Sequence, residues 1–295
     1  MQVSSSPSNS RISRRRFLLG SACAGVGLAL YSGEIERHWA EITHRDLFLP
    51  GLPADFNGFR VAQLSDIHMD RFTEPFFLRN AVSHINRLNP DLVVLNGDFV
   101  THGPMSRRLA AGHAEQCASI LGQLQCPLRY GVLGNHDVMV GRKRVIPALT
   151  AHGIAVLVNA HVPIERSGAR FWLAGVDDPV EGDPDPDAAI PPSIRGVPHE
   201  PVVLLSHAPD YIDDLLAMES GRAVSLVLAG HTHGGQIRFP FVGALALPEL
   251  GQKYVEGWFH VGTAQLYVNR GLGTVNVPFR FDCPPEIALF TLRSA

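Results

Sequence analysis

Cysteine is scarce in this sequence: Cys23, Cys117, Cys126 and Cys283 are four residues in 295, and none are in C-x-x-C spacing. That excludes a disulfide-stapled scaffold and a thiolate zinc knuckle. Cys117 and Cys126 are open to two readings, a bridge or a pair of buried free thiols, and neither fixes the redox compartment. A concentrated basic stripe is also missing beyond the N-terminus; over the whole chain 25 Lys and Arg stand against 28 Asp and Glu, for a net charge of -3. Nucleic-acid surfaces draw much of their affinity from such a stripe, so no nucleic-acid partner is indicated. Internal repeats are absent, and the 28 Gly and 22 Pro fall in short punctuated segments. This pattern marks many tight loops and excludes a collagen-like or disordered chain.

Apolar residues make up 45% of the chain, enough for a substantial core. The length fits one domain of roughly 250 residues behind an N-terminal extension. That extension is a different kind of sequence. A polar stretch, Gln2 to Ser13, leads to Arg14, Arg15 and Arg16, followed by an apolar run from Phe17 to Tyr31. A positive n-region before an apolar h-region is a targeting segment. The run S-R-R-R-F-L at Ser13 to Leu18 resembles the twin-arginine signal, which implies the twin-arginine export machinery as a partner. The mature chain is then expected in the periplasm or at the outer face of the cytoplasmic membrane. A basic, apolar helix lying on or across the membrane is the other reading. No clear A-x-A site follows the h-region before Gly33, so the segment can remain as an anchor. We therefore divide the chain into a signal, anchor and connector over 1–45 and a folded domain over 46–295.

Within the domain, apolar strands alternate with helical patterns. Strands are expected at Phe59 to Leu64, Asp91 to Leu95, Leu128 to Leu133, Ile154 to Val158, Arg170 to Val176, Val202 to Leu205, Leu226 to Leu228, Leu266 to Asn269 and Ile287 to Leu292. Helices are expected at Pro75 to Leu88, Leu109 to Leu124, Lys143 to His152 and Tyr211 to Met218. Continuous apolar strands between helices indicate a layered α/β fold.

Five of the strands end in Asp, His or Asn beside Gly or Ser. The clusters are Asp66-x-His68, Gly97-Asp98, Gly134-Asn135-His136-Asp137, His207 and Gly230-His231-x-His233. In α/β folds ligands sit beyond the carboxyl ends of strands, where loops gather side chains from distant parts of the chain. Residues two apart in an extended segment point to one side, so Asp66 can converge with His68, and His231 with His233. Carboxylates and imidazoles without thiolate suit Zn, Mn or Fe. A lone histidine at a strand end is ordinarily structural, and only the ordered set is specific.

The series D-x-H, G-D, G-N-H-D, an isolated H and then G-H-T-H resembles the calcineurin-like metallophosphoesterase family, over about Phe59 to Leu292. The opening G-F-R-V-A-Q-L-S-D-I-H, the stretch G-H-T-H-G-G-Q-I-R-F-P and the ending N-R-G-L-G-T-V-N-V-P-F-R-F-D-C-P-P-E-I look closest to its short exported or membrane-attached branch. The resemblance implies an α/β fold of four layers, an α/β/β/α sandwich with two packed mixed sheets. It also implies two divalent metal ions, one held by Asp66, His68 and His233 and the other by Asn135, His207 and His231, with Asp98 bridging. His136 would stand near the leaving group as a catalytic residue, oriented by Asp137. Such a centre can lower the pKa of a bridging water and bracket the phosphoryl oxygens for in-line attack on a phosphodiester.

The partner is then a phosphate-containing small molecule or a lipid-linked substrate. Hydrolysis of a lipid-linked pyrophosphate such as UDP-2,3-diacylglucosamine is the alternative reaction, which the apolar run Ile237 to Leu250 keeps open by offering an acyl-chain pocket or a bilayer contact. Arg270 and Arg280 are either a phosphate clamp or structural salt bridges.

Overall fold

A computed structural model of the chain describes residues 13–103, 106–197 and 199–294. The polar stretch before Ser13 lies outside the described residues. Two mixed sheets of six strands each face one another. In the first, the order is β1 (Glu41–Leu49), β14 (Glu286–Ser294), β2 (Arg60–Leu64), β3 (Leu92–Asn96), β4 (Leu128–Val132) and β5 (Ala155–Val156). In the second it is β12 (Gly257–Val261), β13 (Ala264–Val268), β9 (Val224–Ala229), β8 (Val202–Leu205), β7 (Ala169–Gly175) and β6 (Ala160–Arg166). A two-stranded ribbon, β10 (Arg238–Phe239) with β11 (Gly243–Ala244), stands apart from both.

The central strands are mostly apolar because both of their faces are covered. In β3, Leu92 and Val94 point into the layer between the sheets, where they meet Phe171, Leu173, Leu226 and Phe290. Val93 and Leu95 point the other way, into the layer shared with helices α2 (Pro75–Leu88), α3 (Ser106–Leu121) and α5 (Arg142–Ala151). The two-residue period of a strand assigns alternate side chains to the two layers. Helix α2 follows from its sequence: Pro75 is preset for the first turn, and Phe77, Leu78, Ala81, Val82 and Ile85 form one buried face. Asn89 then ends it in a left-handed conformation, at φ 48°. Outside the second sheet, Leu204, Val227 and Leu266 pack with Ala189 of α6 (Pro186–Ala189) and with Ile212 and Leu215 of α7 (Ile212–Ala217). The result is the α/β/β/α sandwich expected.

The three long strands that the sequence pattern does not reveal, β1, β6 and β12, are all sheet edges. An edge strand meets water on one side and carries a weaker apolar pattern. In β1, Leu47 and Leu49 are buried while most of the remaining positions are exposed. A strand paired in parallel with β14 from Glu41 to Leu49 thus begins within the residues read as connector and crosses the 45/46 division. All four cysteines are free thiols, and Cys117, Cys126 and Cys283 are buried. Helix α1 (Arg14–Leu30) buries none of its residues, and the helical stretch Arg14–His38 is long and apolar enough to cross a membrane.

Candidate metal centre

Strands β2, β3, β4, β8 and β9 all end at one rim of the sandwich, and every sequence-predicted ligand leaves the sheets there. The loops carrying them are tightly turned. Asp66, His68, Asp98, His231 and His233 all have left-handed backbones, with φ between 50° and 73°. Side chains other than glycine rarely adopt that region, so five such residues at one rim mark a backbone held by its surroundings. Cross-ties hold it: Asp66 N–H donates to Gly97 O at 3.0 Å, His68 N–H to Asp98 O at 2.9 Å and Gly230 N–H to His207 O at 3.0 Å. A Cβ on Gly230 would collide with Ser65 Oγ and the Asp66 carboxylate, which explains the glycine before His231.

Two buried amides beneath the rim, which the sequence did not single out, lock the sheets together. Gln63 Nε2 donates to Asn96 Oδ1 and to Ala229 O, both at 3.0 Å, and Asn96 Nδ2 donates to Leu228 O at 2.6 Å. Their visible signal is a polar residue inside an apolar strand, Gln63 in β2 and Asn96 at the end of β3.

Among the described residues, the ligating atoms form three overlapping groups: Asp66, His68 and His233; His68, Asp98 and His136; and Asp98, His207 and His231. Asp98 joins them. Its Oδ2 lies 3.4 Å from His68 Nε2 and 3.2 Å from His207 Nε2, and its Oδ1 accepts the His136 N–H at 2.9 Å. Asp66 Oδ1 lies 3.5 Å from His233 Nε2, and both Asp66 oxygens accept from His231 N–H at 3.0 Å. A cleft of about 380 Å³ opens over these groups, with Asn135 and His136 on one side and Leu245, Leu247 and Val277 on the other.

The hydrogen bonds test whether cations fit. Thr101 Oγ1 donates to His68 O, so it accepts from His68 Nδ1–H at 3.2 Å. This leaves the buried Nε2 a bare lone pair, and that atom has no hydrogen-bond partner. His231 Nε2–H donates to Glu249 O at 2.7 Å, which turns the Nδ1 lone pair inward. His207 Nδ1–H donates to Asn96 O at 2.6 Å, leaving Nε2 as its inward atom. Asn135 Oδ1 is a buried acceptor with no donor. Buried acceptors left without donors are costly, and divalent cations are the partners that would satisfy this set.

Electrostatics agree. Burial and the charge of Asp98 push Asp66 up to about 6, although His207 partly offsets this. Burial would also raise Asp98, but the imidazoles of His207, His136 and His68 hold it well below the usual carboxylate range. Burial pushes His68 down to about 3 and, with His207 beside it, His231 down to about 4. His207 goes the other way: burial opposes its charge, but Asp98, Asp66 and Asp178 raise it well above the ordinary value. The same carboxylates that favour a proton on His207 would favour a cation in its place.

Asp137 does not orient the His136 ring. One of its oxygens accepts from Phe99 and Val100 N–H at 3.0 and 3.3 Å, and the other accepts from Gly134 N–H at 3.0 Å. It ties the Asp98 loop to the start of α4 (Asn135–Val140). The His136 ring is instead held by His102, whose N–H donates to Nδ1 at 2.9 Å. Of the two readings of the arginines, the structural one holds. Arg280 is fully buried and donates to the carbonyls of Gly273, Arg270 and Cys283 at 2.7 to 3.1 Å, with His233 Nδ1 3.4 Å away. Arg270 pairs with Glu41 at 2.6 Å and lies 3.7 Å from Glu286.

Residues 59–235, which carry all of these ligands, match the sequence signature of the calcineurin-like phosphoesterases. The chain belongs to the calcineurin-like phosphoesterase family. It is a metal-dependent hydrolase of phosphoric esters. Its similarity extends beyond that segment. It is 33% identical to the metallophosphoesterase YkuE of Bacillus subtilis, covering 96% of this chain and 99% of that one. It is 31% identical to the phosphodiesterase YaeI of Escherichia coli, covering 95% and 99%. At 26% identity it is also similar to the UDP-2,3-diacylglucosamine pyrophosphatase LpxG of Chlamydia trachomatis, covering 88% and 91%.

Proposed function

We propose that this phosphoesterase cleaves phosphodiester bonds at a dinuclear centre. Asp66, His68 and His233 would hold one ion, Asn135, His207 and His231 would hold the other, and Asp98 would serve both. The observation that carries this reading is the placement of Asp98 Oδ2 between His68 and His207, amid inward lone pairs with no donor. Carboxylate, amide and imidazole donors suit Mn, Zn or Fe. When bound, two such ions supply positive charge for the phosphoryl oxygens and a nucleophile near neutral pH.

The chain's own residues do the rest. A backbone N–H can only donate, so the bond from His102 fixes His136 Nδ1 as an acceptor and puts the ring proton on Nε2. His136 lines the cleft, where Nε2–H can donate a hydrogen bond to the departing oxygen as negative charge builds on it. Asp137 contributes by position, because its carboxylate fixes the loops that carry Asp98 and His136. A phosphodiesterase among the full-length relatives supports the reaction.

A second reading is a lipid-linked pyrophosphate such as UDP-2,3-diacylglucosamine. It is favoured by the apolar cleft wall at Leu245, Leu247 and Val277 and by the pyrophosphatase relative. The N-terminal segment acts as a twin-arginine signal or retained anchor ahead of the catalytic domain. Arg14 to Arg16 stay on the cytoplasmic side, and the domain stands in the periplasm or at the outer membrane face.

The test is hydrolysis of bis(p-nitrophenyl) phosphate and of UDP-2,3-diacylglucosamine by Mn-loaded protein. Preference for the first supports a diesterase, preference for the second supports the alternative, and no cleavage of either overturns both. Export of a reporter fusion after replacing Arg14 and Arg15 with Lys tests the route; unchanged export would contradict it.

A further inference from the structure

Helix α1 joins the domain without a linker. The chain continues from Leu30 through one helical turn, Tyr31–Ile35, into Glu36–His38, and Ser32, Gly33, Glu36 and Arg37 are already buried. Ser32 O accepts the Arg280 N–H at 3.1 Å, and Glu36 Oε1 accepts the Cys283 N–H at 2.7 Å. Arg37 reaches Phe72 O at 2.9 Å and Glu74 Oε1 at 2.8 Å. The end of a membrane-competent helix is therefore fixed to the segment 280–283.

That segment is bound in turn to the ribbon and the cleft wall. Phe281 N–H donates to Gln236 O at 3.0 Å, and Arg238 N–H donates to Phe281 O at 2.9 Å. Gln236 Nε2 then holds Val275 O and Val277 O at 3.0 and 3.2 Å. Between β10 and β11 the ribbon tip carries Pro240, Phe241 and Val242, with Phe241 fully exposed and Val242 72% exposed. Tyr31 and Trp39 share a surface cavity with Pro240, which places the tip beside the end of α1. Trp39 is 68% exposed and Tyr31 is 43% exposed. Aromatic residues at the end of a spanning helix belong to the membrane interface.

From this continuity we propose that the ribbon tip, Phe241 and Val242, inserts into the outer boundary of the same bilayer that holds α1. The cleft of the metal centre then opens at the lipid headgroup layer. Its wall includes Ile237, Leu245 and Leu247, which flank the ribbon in sequence, and reaches His233, an apolar surface for the chain of an amphiphilic phosphate ester. This last step rests on the phosphoesterase reading; insertion of the tip does not.

The test uses the full chain with Cys23→Ser, reconstituted in vesicles of phosphatidylethanolamine and phosphatidylglycerol. A polarity-sensitive fluorophore is placed at Phe241→Cys or, as a control, at Ser167→Cys in the exposed turn between β6 and β7. The label at 241 is expected to shift to the blue and lose quenching by aqueous iodide, while the label at 167 stays quenched. Equal iodide quenching at both sites overturns the proposal, as does disulfide formation between two chains at 241, which would make a second copy the occupant.

For the substrate step, Val242→Asp should keep wild-type turnover of the soluble diester and lose turnover of a vesicle-embedded phosphodiester amphiphile. Equal turnover of the embedded ester by the variant and the wild type overturns that step. No turnover of either ester by the wild type removes the hydrolase reading, while a shielded label still supports insertion.

Discussion

His207 Nε2 and His231 Nδ1 face each other across 3.1 Å inside the cleft, each ring having its other nitrogen committed to a backbone carbonyl. One proton can sit between them in the metal-free protein. A divalent ion would satisfy both lone pairs, and Asp98 is grouped with these two rings as a third candidate ligand. Metal uptake is therefore an exchange of protons for cations.

The pH dependence follows. His207 is raised and Asp66 is lifted to about 6 in the metal-free protein. At low pH these groups hold protons that compete with metal; as pH rises, through about 6 for Asp66, the protons leave. Mn affinity should tighten with rising pH, weaken sharply below about pH 6, and be accompanied by proton release. Calorimetry in buffers of different ionisation enthalpy measures this. Uptake without proton release would show that these side chains are not the ligands.

Asp98→Ala removes the oxygen shared by both groups. Metal content, measured by plasma mass spectrometry, should fall at both positions, and kcat/KM for the diester should drop by about a hundredfold or more. Loss of one ion with the other fully retained would place Asp98 outside a bridge.

His136→Ala should leave metal content near that of the wild type and lower kcat by roughly 10² to 10⁴. The effect should be smaller for esters whose leaving group departs without protonation, such as p-nitrophenolate. Uniform loss across leaving groups would assign His136 to binding and not to stabilising the departing oxygen.

Arg280→Met strips the buried carbonyls of Gly273, Arg270 and Cys283 of their donor. A destabilisation of about 2–4 kcal/mol is expected, read by denaturant unfolding, with His233 loosened and Mn bound more weakly. Stability and Mn affinity both unchanged would contradict the positioning role.

The candidate ligands were legible because their signal is local in sequence: each follows an apolar strand within a few residues and comes with a glycine or serine that the backbone requires. Gly97 and Gly230 show the requirement directly, since a Cβ at either would strike a neighbouring loop. The layered core was legible for the same reason, as in the uninterrupted β3. What the sequence hid depends on partners far along the chain. Edge strands β1, β6 and β12 read as loops because water covers much of them. Arg280 looked equally suited to a phosphate or a salt bridge until its donors were seen to end on carbonyls. Asp137 sits next to His136 in sequence, yet α4 turns it away toward Phe99 and Gly134, and His102 holds the ring instead.

Asp98 would hold two cations close together through one carboxylate. Electron paramagnetic resonance of protein loaded with two equivalents of Mn tests it most directly. Ions roughly 3.5 to 4 Å apart should give the spectrum of an exchange-coupled pair, and Asp98→Ala should abolish the coupling. A spectrum of isolated Mn ions at full loading of the wild type would contradict the account.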